Sequence, residues 1–173
     1  FGNDRVFHTT FIESYADAFL HISVDASGSM GGDKWDNTMT SVVAICKAVS
    51  MIQNVDVVVS IRSTQSGSSN RSRGTDFPII LLAYDSRVDK FSKVKNLFPH
   101  IRCSGTTPEG LCYEAVMNEI VPSSNDRESY FLNFSDGMPM FSNSDVRYYQ
   151  DTAINHTKKM VEEIKDRGIK VIS

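Results

Sequence analysis

The side chains best equipped for chemistry in this chain offer only oxygen. Asp25, Ser27 and Ser29 stand two apart directly after an apolar run, Ala18 to Val24. Thr107 lies within Gly105-Thr106-Thr107-Pro108, and Asp136 heads Asp136-Gly137 just past a second apolar run, Tyr130 to Phe134. Two carboxylates and three hydroxyls, drawn from three distant segments, make a hard donor set that suits Mg2+, Mn2+ or Ca2+ and not the softer metals. Ser and Asp after a strand also form turns and helix N-caps. The joint pattern across three segments is what separates a cation site from a set of turns.

Such a site needs elements to hold it. Trp35, Met39, Val42, Cys46 and Val49 repeat in steps of three and four, which predicts a helix from about Lys34 to Ile52 with Asp33 as N-cap. Asp56 to Ile61 and Pro78 to Tyr84 read as neighbouring strands, and the Ser-rich stretch Arg62 to Asp76 as a loop joining them. Thr107 is expected to cap a helix with Pro108 at its first position, carrying Leu111, Ala115 and Ile120 inward and ending before Pro122. A third helix is expected from about Asp145 to Arg167, with Tyr149, Ala153, Met160 and Ile164 inward and Gly168 as its stop.

This order predicts an α/β fold: a doubly wound, mostly parallel central sheet with helices on both faces and one antiparallel edge strand. Ligands of such sheets bind beyond the carboxyl ends of the strands where the chain order reverses, which is where Asp25 and Asp136 fall. The five candidate ligands are thereby drawn toward one end of the sheet.

The 173 residues fit one ordinary domain, with 40% hydrophobic and 23% charged residues. A net charge of -3 without a basic stripe argues against nucleic acid as the main partner. No apolar stretch has the length of a membrane span. Three cysteines, Cys46, Cys103 and Cys112, do not form a disulfide framework, which points to a reducing, cytoplasmic setting. The chain opens on Phe1, and Gly168 to Ser173 begins a strand that nothing further covers. Residues 1–17 are expected to be a lead-in and 18–173 the domain, a piece of a longer protein whose last strand and helix lie past Ser173.

From about Ala18 to Ser173 the chain resembles the von Willebrand factor A-type (VWA) domain. The family's metal-ion-dependent adhesion site has the pattern Asp-x-Ser-x-Ser, a later Thr and a later Asp-Gly, matched here by Asp25, Ser27, Ser29, Thr107 and Asp136. Ala83-Tyr84-Asp85-Ser86 is similar to the family's third-strand ending. Gly105-Thr106-Thr107-Pro108 is similar to its Gly-Gly-Thr-Pro loop, with Thr106 in place of a glycine. The resemblance implies a Rossmann-like fold and a non-catalytic module that takes Mg2+ in those five residues and a Glu or Asp of a protein partner as the remaining ligand. Ser135 to Pro139 and the long helix after it more faintly resemble the domain of cobalt- and magnesium-chelatase subunits, which would imply a ring-shaped ATPase as partner.

Rival chemistries fit less well. A Mg2+-dependent phosphohydrolase could use Asp25 as nucleophile, but such enzymes need a second Asp two places on, where Ser27 stands. Ser27-Gly28-Ser29 is no hydrolase elbow, which requires Gly two places before the nucleophile. His100, Cys103 and Cys112 match no zinc spacing, and no phosphate-cradling glycine motif occurs. A metal that merely staples loops is a third reading. Met30, Met138, Pro139, Met140 and Phe141 surround the proposed ion in sequence and are expected to form an apolar rim around a partner's carboxylate. His21, in the first apolar run, is expected to be a core histidine.

Overall fold

The computed structural model describes residues 16–66 and 76–173. In chain order the elements are β1 (Asp17–Asp25), a 3-10 turn (Gly28–Met30), α1 (Asp33–Val49), β2 (Val55–Ser66), β3 (Asp76–Asp85), α2 (Ser92–Leu97), a second 3-10 turn (Phe98–His100), α3 (Glu109–Val116), β4 (Arg127–Phe134), the two-residue strands β5 (Phe141–Ser142) and β6 (Arg147–Tyr148), α4 (Gln150–Asp166) and β7 (Lys170–Ile172). The main sheet has the order β3-β2-β1-β4-β7. β1 pairs in parallel with β2 and with β4, β7 is parallel to β4, and β3 runs antiparallel at the edge. The expected doubly wound architecture is the one found, and it follows from strands apolar enough to be covered on both faces.

Each face carries its own core. On one, Ile22, Val24, Val57, Val59 and Ile61 meet Val42 and Cys46 of α1. On the other, Phe131 of β4 meets Tyr113 and Val116 of α3 and Met160 and Ile164 of α4. Side chains of this size contribute roughly 1.5–3 kcal/mol each when fully buried, so the two clusters are what hold the helices to the sheet. His21 is buried as expected. Its Nε2 lies 2.8 Å from Ser60 Oγ and its ring stacks on Phe131.

Several boundaries differ from the sequence expectation. α1 includes Asp33, and its N-cap is Gly32 at φ 78°, with no side-chain cap. β2 continues through Arg62 to Ser66, because Arg62, Ser63 and Thr64 are buried in spite of their polarity. Residues 67–75 of the expected loop, like residues 1–15 of the expected lead-in, lie outside the described residues.

α3 starts after Pro108 and stops at Val116, with Cys112, Tyr113 and Val116 inward and Ala115 exposed. Thr107 does not cap it, since its hydroxyl bonds a carboxylate instead. α4 begins only at Gln150, because the preceding residues form the β5–β6 hairpin, and Tyr149 is 40% exposed rather than inward. The one-and-a-half-turn α2 was not foreseen, being too short to show a period.

Candidate metal centre

The sheet order reverses at β1, whose neighbours β2 and β4 are each reached through a helical crossover. Val24 pairs with Phe134, so Asp25 at the end of β1 and Ser135-Asp136 just past β4 emerge side by side. Asp25 is fully buried. Its Oδ1 accepts the Ser27 backbone N–H at 2.8 Å, and its Oδ2 accepts the hydroxyls of Thr107 at 3.1 Å and Ser135 at 3.2 Å. Ser27 Oγ lies 3.1 Å from Ser29 Oγ, and the Ser29 hydroxyl donates to Asp136 Oδ1 at 2.8 Å. All five candidate ligands are thus drawn into one cluster.

The two halves of that cluster border the same space. A Cβ built on Gly137 would stand 3.8 Å from Ser29 Oγ and 3.9 Å from Thr107 Oγ1. A side chain there would occupy the gap between the hydroxyls, and glycine leaves it open. The hydroxyls on this gap are hydrogen-bonded to the carboxylates of Asp25 and Asp136, and a donor set of oxygens alone, two of them carboxylate, fits a hard divalent cation.

Backbone bonds fix the loops that carry these groups. Ala26 N–H donates to the Arg62 carbonyl at 2.9 Å, Gly28 N–H to Gly105 at 3.1 Å, Ser104 N–H to Ala26 at 2.7 Å and Met140 N–H to Thr107 at 2.8 Å. Gly105 is obligatory at φ 74°, and a Cβ on it would come within 2.1 Å of Thr64 Oγ1. The turn it makes sends Thr106 toward Thr64, whose hydroxyl accepts the Thr106 N–H at 2.9 Å. Thr107 is the hydroxyl turned to Asp25.

Two participants escaped the sequence reading. Ser135 bonds Asp25, and its place beside Asp136 was the signal that could have found it. Lys34, on the first turn of α1, places its ammonium on Asp136 Oδ2 and 3.5 Å from the Ser29 carbonyl. The ammonium, aided by the Ser29 hydroxyl, holds the Asp136 carboxyl below the usual carboxylate range. A positive charge is therefore already drawn to this cluster by a side chain of the protein itself.

The expected rim is partly corrected. Met30 and Phe141 are buried beneath the surface, 3% and 2% exposed, because they fill core space under the loops. Met138 and Met140 are 66% and 50% exposed and, with Tyr149, line a cavity of about 520 Å3 that also takes in Ser27, Ser29 and Thr107. A larger cavity of about 840 Å3, lined by Trp35 and Met39 of α1 and by Val94 and Phe98, holds none of these oxygens. Among the described residues no three or more of His, Cys, Asp and Glu, His100, Cys103 and Cys112 included, come together as a metal-holding group. All three cysteines are free, and burial pushes the Cys46 and Cys112 thiols up to about 12.

No protein-family model matches the chain, and no curated protein is significantly similar to it in sequence. Solved structures do match. The pilus adhesin SpaC from Lactobacillus rhamnosus GG is similar over 92% of this chain, with TM-score 0.64 and 14% identity, and the match spans 24% of that chain. Manganese-loaded TRAP protein from Plasmodium vivax is similar over 90% of this chain and 56% of its own, with TM-score 0.52 and 17% identity. The vWF domain of the type V pili tip protein Mfa5 from Porphyromonas gingivalis is similar over 72% of this chain and 39% of its own, with TM-score 0.50 and 14% identity. At such identities the likeness is one of fold. Sheet order, edge strand and these neighbours give the chain a VWA-like fold, and it spans less than two thirds of each of the three.

One sequence expectation gains no support here and another is overturned. None of the three neighbours is a chelatase subunit, so the faint chelatase resemblance and the ring-shaped ATPase it implied gain no support. The cytoplasmic expectation is overturned, because the neighbours include a pilus adhesin and a pilus tip protein, which belong to the cell surface. The inference from cysteine failed for a physical reason. A domain of this size buries enough core to stand without disulfides, so lacking them says nothing about its compartment.

Proposed function

We propose that this chain is a metal-dependent protein-binding module of the adhesive kind. Asp25, Ser27, Ser29, Thr107 and Asp136 hold Mg2+, or Mn2+ or Ca2+ in its place, and a Glu or Asp of a partner takes the remaining position. The observation that carries this reading is the meeting of three hydroxyls, from two segments, on one cavity that opens to the surface, with the Asp25 and Asp136 carboxylates hydrogen-bonded to them from behind and beside. Once bound, the ion supplies an electrophile for an incoming carboxylate.

The protein's own residues do the rest. Asp25 orients Ser27 through its backbone N–H and Thr107 through its hydroxyl, while Ser29 and Asp136 steady each other. Met138, Met140 and Tyr149 form an apolar collar beside the oxygens, fit to exclude water around one polar anchor. A manganese-loaded structure among the fold neighbours supports a divalent ion, and the pilus adhesin supports an adhesive setting.

Burial of Asp25 speaks against the phosphohydrolase reading. A nucleophilic carboxylate needs an oxygen free to reach phosphorus, whereas Asp25 is 0% exposed and both its oxygens accept hydrogen bonds. The experiment that separates the readings is capture of partners from native extract on immobilised protein, in Mg2+ and in chelator, repeated with Ser27→Ala. Retention by the wild type in Mg2+ alone supports the proposal. Equal capture in every arm leaves the metal a mere staple, and release of phosphate from an aryl phosphate, abolished by Asp25→Asn, makes the domain an enzyme.

A further inference from the structure

Beneath the candidate ligands lies a side chain that the proposed function has not used. Arg62 pairs with Asp25 in the β1–β2 register and is 0% exposed. Its Nη1 donates to Ser23 Oγ at 2.8 Å, two residues before Asp25. Its Nη2 donates at 2.8 Å to Glu109 Oε1, two residues after Thr107, and at 2.8 Å to Asn133 Oδ1, with the Phe134 carbonyl at 3.4 Å, two residues before Asp136. One guanidinium therefore reaches all three of the segments that supply ligands. Glu109 Oε1 is held further by the Tyr113 hydroxyl at 2.8 Å and the Asn133 amide at 3.0 Å, so the clamp is shared among β1, β2, α3 and β4.

We infer that Arg62 is the positioning residue of the metal centre, tying the three ligand-bearing segments to one another from below. The inference rests on the metal reading above. A fully buried ion pair is weak evidence for stability, since a well-packed apolar replacement is often as stable or more so. What an apolar side chain cannot do is hold three chain segments at fixed spacing, and neither can lysine, whose single ammonium lacks the planar two-pronged fork. The hydrogen bonds of the Arg62 side chain go to Ser23, Glu109, Asn133 and the Phe134 carbonyl, so it acts through the positions of these neighbours of the candidate ligands.

The test is titration with Mn2+ alone, by calorimetry well below the melting temperature, on wild type, Arg62→Met, Arg62→Lys and Ile164→Ala. Ile164 is buried in the core between α4 and the sheet and serves as the control for lost stability. Arg62→Met is expected to bind Mn2+ at least tenfold more weakly than wild type, Arg62→Lys severalfold more weakly, and Ile164→Ala as tightly as wild type. Should Arg62→Met fail to fold, Arg62→Lys carries the test. Wild-type affinity in the Arg62 variants, or an equal loss in Ile164→Ala, overturns the positioning role while leaving the metal reading intact. Absence of Mn2+ uptake by the wild type overturns the metal reading and this inference with it.

Discussion

At the scale of single residues the contact with most leverage is Lys34 on Asp136. A divalent ion taken up here would compete with the ammonium for one carboxylate, and the side chain of Lys34 is 61% exposed, so that competition would be open to salt. Replacing Lys34 with Ala should tighten Mg2+ or Mn2+ binding severalfold at low ionic strength, with the gain shrinking as salt is added. Weaker binding in the variant would mean that Lys34 helps to build the site rather than guard it. The five ligand candidates could be picked out of the sequence because Asp25, Ser27, Ser29 and Asp136 follow apolar runs and Thr107 sits in a short Gly-Thr-Thr-Pro motif. Lys34 and Arg62 could not, because what matters about them is a meeting of side chains across 102 and 47 positions of sequence, which no local spacing encodes.

At the scale of elements the polar strand end explains most of what the sequence concealed. Arg62 to Ser66 has the composition of a loop, yet it is strand, because the face of the sheet under α3 carries a polar layer of buried Ser23, His21, Ser60 and Arg62 with half-buried Asn133. Composition reports exposure only when polar groups lack partners, and here they bond one another.

His21 in that layer makes the sheet sensitive to acid. Burial, then the nearby positive charge of Arg87, lowers its pKa to about 3 from 6.5, with Asp85 opposing the shift. The folded chain keeps His21 neutral while the unfolded chain protonates it below about 6.5. The stability it allows is complete above that pH and is lost as pH falls toward 3, by at most about 1.4 kcal/mol per pH unit. Urea midpoints should fall between pH 7.5 and pH 5, and fall less in His21→Asn. A variant that declines as steeply as wild type would assign the effect to other groups.

At the scale of the whole molecule, the order β3-β2-β1-β4-β7 decides where function can lie, because it sets the ends of β1 and β4 side by side at the reversal point. A doubly wound sheet with Asp25 and Asp136 at its reversal point followed from the alternation of strand and helix patterns, and the strand order itself did not. The β5–β6 hairpin and the delayed start of α4 did not, since the two-residue strands are too short for any period. The hairpin and the turn into α4 bring Tyr149 to the cavity beside Met138 and Met140, giving the module a surface wider than one ion.

The claim on which all three scales depend is that this cluster takes up a divalent cation. Calorimetric titration of the metal-stripped chain with Mg2+ and Mn2+, run beside Ser27→Ala and Thr107→Ala, measures it directly. The account predicts saturable uptake of one ion per chain, a rise in unfolding free energy of about 2.7 kcal/mol at a hundredfold excess over Kd, and loss of both in each variant. No heat of binding in the wild type, or equal binding in the variants, would contradict it.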